Sequence, residues 1–242
     1  IGVYSPDHLH TEHVAAALDA GKHIVCTKPM VTSVEDADRL VRLVDEKGVK
    51  FLVGQTMRFE PEFTAAKSQL DRGFLGDLIL VEGHYVHDMR HVFPSTPWRR
   101  DVPQDLMYGG ISHPLDIMRW LVGDIEEVHA YGNRAGLTPE VKIKANFILN
   151  VKFVNGVMGR VLGMYDIVHP PMPMMGIGLW GSKGTLMADY TDLKGGHINV
   201  VYDDMEGQPV GTFDFPPETL GAYGHGDTVL RYMAQFADCL EH

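Results

Sequence analysis

Cysteine is nearly absent: Cys26 and Cys239 are the only two among 242 residues. That excludes a disulfide-stapled secreted scaffold and a CxxC zinc site, and it makes a reducing compartment, the cytoplasm, the default location. Long apolar runs are also missing. No stretch approaches the roughly 18 residues that a spanning helix needs, so no membrane partner is expected. Positive charge is scarce, with 21 Lys and Arg against 32 Asp and Glu, a formal charge of −11. Nucleic acid phosphates and anionic lipid are held mainly by Lys and Arg, so neither is an expected ligand. A small molecule or another protein remains. Ligand signatures such as HExxH are lacking, and His84 and His87 fall on opposite faces of one strand, so the histidines His84, His87, His91, His113, His129 and His225 are not expected to hold a metal.

What is present fits one large domain or two small ones. Residues 1–56 alternate strand and helix. Ile1 to Tyr4, His23 to Cys26 and Phe51 to Val53 read as short apolar strands, and Thr11 to Ala20 reads as a helix closed by Gly21. Ser33 with Asp36 forms a capping box for a second helix, in which Val34, Ala37, Val41 and Val44 share one face up to Gly48. Short strands joined by helices of about ten residues indicate a parallel sheet, whose ligands lie at the strands' carboxyl ends: here Ser5-Pro6, Thr27-Lys28 and Gln55.

Residues 57–242 read differently. Helices are expected at Pro61 to Arg72, His113 to Val122 and Thr228 to His242. Strands are expected at Leu78 to His87, Asn146 to Val154, Val157 to Tyr165, Met175 to Trp180, Thr185 to Ala188, His197 to Tyr202 and Val210 to Phe215. Asn155-Gly156 predicts an antiparallel hairpin, both residues tolerating positive φ. The opening Ile1-Gly2-Val3-Tyr4 enters a turn with no initiator Met or signal peptide, so the chain is expected to begin inside a fold.

Two local features carry chemistry. Lys28 stands at a strand's carboxyl end before Pro29, which favours an extended backbone and permits a cis bond; a lysine held there can hydrogen-bond a reacting oxygen, and an exposed turn lysine fits equally. In Gly109-Gly110-Ile111-Ser112-His113-Pro114-Leu115-Asp116, His113 and Asp116 are three apart at a helix start, the spacing of a tuned proton shuttle and also of a structural cap.

Taken in order, Ser5-Pro6-Asp7-His8-Leu9-His10, Ala17-Leu18-Asp19-Ala20-Gly21-Lys22-His23-Ile24-Val25-Cys26-Thr27-Lys28-Pro29, Met57-Arg58-Phe59-Glu60-Pro61, His113-Pro114-Leu115-Asp116 and Trp180-Gly181-Ser182-Lys183-Gly184-Thr185-Leu186 resemble the Gfo/Idh/MocA oxidoreductases over essentially the whole chain. The resemblance implies a partial Rossmann doubly wound parallel sheet, the C-terminal half of a dinucleotide-binding domain, in residues 1–56. It implies an α/β substrate-binding and oligomerisation domain with a large, mostly antiparallel open sheet in residues 57–242. It further implies NAD or NADP as cofactor, hydride transfer to or from a sugar, polyol or related hydroxy compound, and a homodimer or homotetramer formed through the large sheet.

By position, Lys28 resembles the family's motif lysine and His113 its acid or base, with Asp116 as companion. The resemblance implies that Ser5, Pro6, His8 and His10 line the cofactor, that Thr27, Pro29 and Gln55 lie close by, and that Trp98 and Arg99 close over it from a long loop. The sequence departs from the pattern at Thr27, where the family usually has Glu, and at Gly109, where polyol dehydrogenases often carry Asp. The first strand and the GxGxxG turn that holds the pyrophosphate are not among these residues, so the chain as it stands is expected to bind dinucleotide poorly. A catalytically silent member that binds cofactor or sugar is the alternative.

Overall fold

The computed structural model describes residues 1–101, 106–134, 136–191, 195–202, 209–215 and 226–241. The chain divides into two compact units, Ile1–Thr56 with Val229–His242, and Met57–Thr228.

In the first unit β1 (Gly2–Val3), β2 (Ile24–Thr27) and β3 (Phe51–Gly54) pair in parallel in chain order. The connections are α1 (His10–Asp19) and α2 (Val34–Lys47). The core joins Val3, Val14, Leu18, Ile24, Cys26 and Leu40. At the start of α2 the Ser33 side chain accepts the Asp36 N–H at 3.1 Å, and Gly48 closes the helix at φ 61°. The inward stripe of α2 differs from the one expected: Leu40 is fully buried, with Ala37, Leu43 and Val44 beside it, while Val34 and Val41 are 67% and 51% exposed. The larger Leu40 fills the gap against the sheet, and Val41 lies one residue, about 100°, further round the helix. Cys26 is sealed in β2, where burial, aided by the Asp7 carboxylate, pushes its thiol up to about 12.

The final helix, α6 (Gly226–Glu241), groups with this unit from Val229 onward. Its anchor is Tyr232, which is buried and reaches the Leu52 carbonyl of β3 at 3.5 Å. That pairing spans 180 residues and has no local signature.

The second unit is built on an eight-stranded sheet of order β11-β10-β9-β8-β4-β7-β6-β5. The strands are β4 (Leu78–Val86), β5 (Ile125–Asn133), β6 (Asn146–Phe153), β7 (Met158–Met164), β8 (Met175–Gly181), β9 (Gly184–Thr191), β10 (Gly195–Tyr202) and β11 (Pro209–Phe215). Only β4 and β7 pair in parallel; the other neighbours are antiparallel. Helices α3 (Pro61–Asp71) and α5 (Ser112–Val122) pack on one face, over a core that includes Phe63, Val81, Met118, Leu149, Ile177 and Ile198. A third helix of this unit, α4 (Trp98–Asp101), is a single turn.

Strand β5 has no counterpart in the expected set. It forms the edge of the sheet and is exposed along nearly its whole length, so its sequence lacks the alternation that burial of one face imposes. In the expected hairpin, β6 and β7 pair antiparallel, yet only Gly156 takes positive φ, at 88°, with its N–H donating to Phe153 O at 2.9 Å. The longer loop needs a single left-handed residue, and glycine supplies it. Among the described residues no helix is long and apolar enough to cross a membrane, and no group of three His, Cys, Asp or Glu is placed to hold a metal ion.

Candidate active site

In the first unit three strand ends meet at one edge of the sheet. β1 leads into Ser5-Pro6, β2 ends at Thr27 and β3 at Gly54, so the segments carrying Ser5, Lys28 and Gln55 emerge at the same edge of a parallel sheet. His10 joins two of them. Its Nδ1 is 2.7 Å from Pro29 O and its Nε2 2.8 Å from Ser5 O, and the ring is fully buried. His10 is thus a brace between the loops that carry Ser5 and Pro29. Ser5 Oγ in turn lies 2.9 Å from His13 Nδ1, and His8 stands exposed on the turn before α1.

The Lys28–Pro29 bond is cis. Pro29 is buried, while Thr27 and Lys28 are half-buried. A Cβ on Gly54 would come within 3.1 Å of Thr27 Cα and 3.4 Å of Lys28 N, so β2 and β3 end in contact with no side chain between them. One residue on, Gln55 Oε1 is sealed from water with no hydrogen-bond partner among the described residues. A buried acceptor left open costs about 1 to 3 kcal/mol, and at the carboxyl edge of a parallel sheet it fits a ligand bearing N–H or O–H groups, such as a carboxamide or a ribose.

The second unit gathers rings at the end of β4 and the start of α5. Tyr85 has ring centroids of His113, Tyr165 and His87 at 6.1, 5.6 and 6.3 Å, and His91 extends the group at 5.7 Å from His87. His113 is 5% exposed and sits in the first turn of α5. The loop before it lies flat on Tyr85: a Cβ on Gly110 would fall 2.2 Å from that ring, so only glycine fits. Tyr165 is buried, and its hydroxyl accepts the Ile111 N–H at 2.7 Å, capping an amide at the helix entry. Burial raises the phenol's pKa well above its ordinary value, so it stays neutral.

Asp116 is held elsewhere than expected. Arg58 donates to both its oxygens, at 2.7 and 2.6 Å, a bidentate pair that fixes the segment before α3 to α5. Of the two roles open to it, orienting His113 or bracing the helix, this contact supplies the second. Trp98 and Arg99 form the first turn of α4, with the Arg99 guanidinium 4.4 Å from the Trp98 ring centroid. Tyr85, Tyr165 and Arg58 were not among the expected site residues. Tyr85 and His87 were legible as same-face neighbours on one strand, whereas Tyr165 meets Ile111 across 54 residues and Arg58 meets Asp116 across 58.

Comparison with known proteins settles the lineage. Residues 1–55 match an oxidoreductase family with an NAD-binding Rossmann fold, and residues 63–187, more than half of the chain, match the Gfo/Idh/MocA C-terminal domain. The chain belongs to the Gfo/Idh/MocA family. Levoglucosan dehydrogenase of Pseudarthrobacter phenanthrenivorans is 26% identical over 78% of this chain and 55% of its own length. Inositol 2-dehydrogenase 1 of Saccharopolyspora erythraea is 30% identical over 64% of this chain and 44% of its own. The chain therefore spans about half the length of these curated Gfo/Idh/MocA relatives. A levoglucosan dehydrogenase solved with NADH and levoglucosan superposes with a TM-score of 0.81 at 22% identity, covering 96% of this chain and 68% of that one. An inositol dehydrogenase homologue from Azotobacter vinelandii with NADH and myo-inositol gives 0.74 at 21%, covering 88% and 55%. Both of the family's sheets, the parallel one and the large mixed one, are thus present.

Proposed function

We propose that the protein is an NAD- or NADP-dependent oxidoreductase that moves a hydride between nicotinamide and a sugar, polyol or related hydroxy compound. The observation that carries this reading is family membership over both units, together with Lys28 at the end of β2 and His113 at the start of α5. Relatives named for levoglucosan, D-xylose and inositol support the substrate class.

The orphaned Gln55 acceptor fits the nicotinamide carboxamide or ribose, and Ser5, Pro6, His8, Thr27 and Pro29 hold the same end of the dinucleotide. When bound, the dinucleotide supplies the hydride acceptor or donor. The chain's own part is the proton. An alcohol that loses hydride must also lose its hydroxyl proton; His113 takes it, and Lys28 donates a hydrogen bond to the oxygen as its charge changes. Such acid-base help is worth about 10²- to 10⁴-fold. Asp116 acts through Arg58 as a positioning residue.

The test is absorbance at 340 nm with the full-length protein, NAD⁺ or NADP⁺, and a panel of sugars and polyols. A substrate-dependent rise is expected. Saturable dinucleotide binding with no absorbance change on any compound would overturn the reading in favour of a silent binding protein.

Assembly is part of the proposal, as a homodimer or homotetramer in the cytoplasm. The sheet face opposite α3 and α5 exposes Tyr131, Ile148, Met158 and Met187, apolar side chains that a second copy would cover. Light scattering is expected to give twice or four times the protomer mass; a monomer would refute it.

A further inference from the structure

Helix α5 begins without a cap from its own sequence. Its N-cap residue is Ile111, whose side chain carries no acceptor, and the position three residues on, where a capping box has Glu or Gln, is Pro114. The acceptor comes from across the sheet. Tyr165, the residue after β7, accepts the Ile111 N–H at 2.7 Å on its hydroxyl oxygen, which the Gly110 N–H also reaches. Both ends of that contact are sealed from water, where an amide left without an acceptor is costly. The tyrosine is itself firmly seated. Its N–H is shared between Asn146 Oδ1 at 3.1 Å and Ala145 O at 3.2 Å, and its carbonyl accepts the Met89 N–H at 3.2 Å. Its ring leans on Tyr85 at 5.6 Å between centroids, and Tyr85 in turn has the His113 ring at 6.1 Å and the Gly110 backbone against its face. His113 follows Ile111 by two residues, and its own N–H donates to Gly110 O at 3.0 Å. The backbone and the ring of His113 therefore both trace to Tyr165, the first through the Gly110 and Ile111 amides and the second through Tyr85.

We propose that Tyr165 is a positioning residue for His113: its hydroxyl holds the entry of α5 where the histidine ring meets the reacting hydroxyl group, without touching the substrate itself. The inference rests on the role proposed above for His113. Acid-base help requires the base to lie within hydrogen-bond reach of the proton it takes, and a misplacement of about 1 Å costs on the order of 10²-fold. Phenylalanine at this position keeps the ring against Tyr85 and removes only the acceptor. Tyr165→Phe thus frees the backbone route to His113 and leaves the packing route in place.

The experiment compares the full-length parent with Tyr165→Phe by steady-state kinetics in light and heavy water, on a substrate found by absorbance at 340 nm, and by nitrogen–proton correlation spectra of the histidine rings. In the variant kcat is expected to fall about 10- to 100-fold, with KM and NADH affinity within about threefold of the parent. The solvent isotope effect on kcat is expected to rise, because a displaced base slows proton transfer relative to the other steps. A variant that only contained fewer folded molecules would lower kcat and leave that effect unchanged. The His113 ring signals are expected to move while those of His10 stay. Replacing Tyr165 with para-aminophenylalanine keeps the shape with a weaker acceptor and gives an intermediate loss, which carries the test if Tyr165→Phe does not fold. A kcat within about twofold of the parent in a folded variant overturns the proposal. So does a loss with an unchanged isotope effect, or a rise in KM alone, which would put Tyr165 against the substrate. If the parent turns over no compound, hydride transfer fails and the ring spectra decide alone: unmoved His113 signals overturn the positioning role, and moved ones uphold it.

Discussion

Lys28→Met in the full-length protein lowers kcat by about 10²- to 10⁴-fold, equivalent to roughly 3 to 5 kcal/mol of barrier, and leaves dinucleotide affinity within about threefold. Methionine keeps the unbranched stem and removes the ammonium. The loop has supports besides the ammonium: Pro29 is buried and its carbonyl is held by His10, and Gly54 lets β3 close against Thr27 and Lys28. A loss in kcat with unchanged dinucleotide binding means that the lost contact forms at the reacting oxygen. Lys28→Arg does not restore the rate, because a guanidinium is wider and does not give up its proton. Stopped-flow turnover beside fluorescence titration of NADH separates the two effects. Full activity in Lys28→Met removes the residue from the chemistry and leaves it a solvated turn lysine.

The parts legible in the sequence are those set by neighbours in the chain. Ser33 and Gly48 mark the ends of α2 because capping is a local transaction of hydrogen bonds, and Lys28 and His113 stand out because each adjoins an element end. What the sequence conceals is pairing at long range. Asp116 three residues from His113 suggests a dyad, yet the carboxylate is taken by an arginine 58 residues earlier. His10, expected beside the cofactor, also braces Ser5 against Pro29, a contact that no sequence spacing signals. Strand β5 leaves no apolar rhythm, since an exposed edge imposes none, and the parallel pairing of β4 with β7 inside a mostly antiparallel sheet follows from no local signal. Residue chemistry therefore singled out Lys28 and His113 as candidates, while the contacts around them required the fold.

A buried acid outside that site gives the largest expected effect on stability. Glu62 lies in the first turn of α3, is 0% exposed, and among the described residues no other residue hydrogen-bonds either carboxylate oxygen. Burial, only partly offset by a hydrogen bond from Glu62's own backbone N–H and reinforced by the carboxylates of Glu60 and Asp189, pushes its pKa up to about 8 from 4.5. Between those values the folded protein keeps a proton that the unfolded chain releases, so stability falls as pH rises. The slope approaches about 1.4 kcal/mol per pH unit, about 3 kcal/mol by pH 7 and about 5 kcal/mol above pH 8. Glutamine is isosteric with the protonated acid and does not ionise. Glu62→Gln should therefore match the parent near pH 4.5 and exceed it by about 3 kcal/mol at pH 7, a rise in Tm of about 10 °C. Urea melts of both proteins from pH 4.5 to 8 check this, with the difference between the curves isolating Glu62 from every other titrating group. Parallel curves would mean that the carboxylate ionises in the folded state at no cost, which requires water or a counterion beside it. A divergent pair carries a second consequence: α3 begins just after Arg58, so the alkaline weakening should show first as faster amide exchange in the turn that positions Asp116 and, through it, the helix bearing His113.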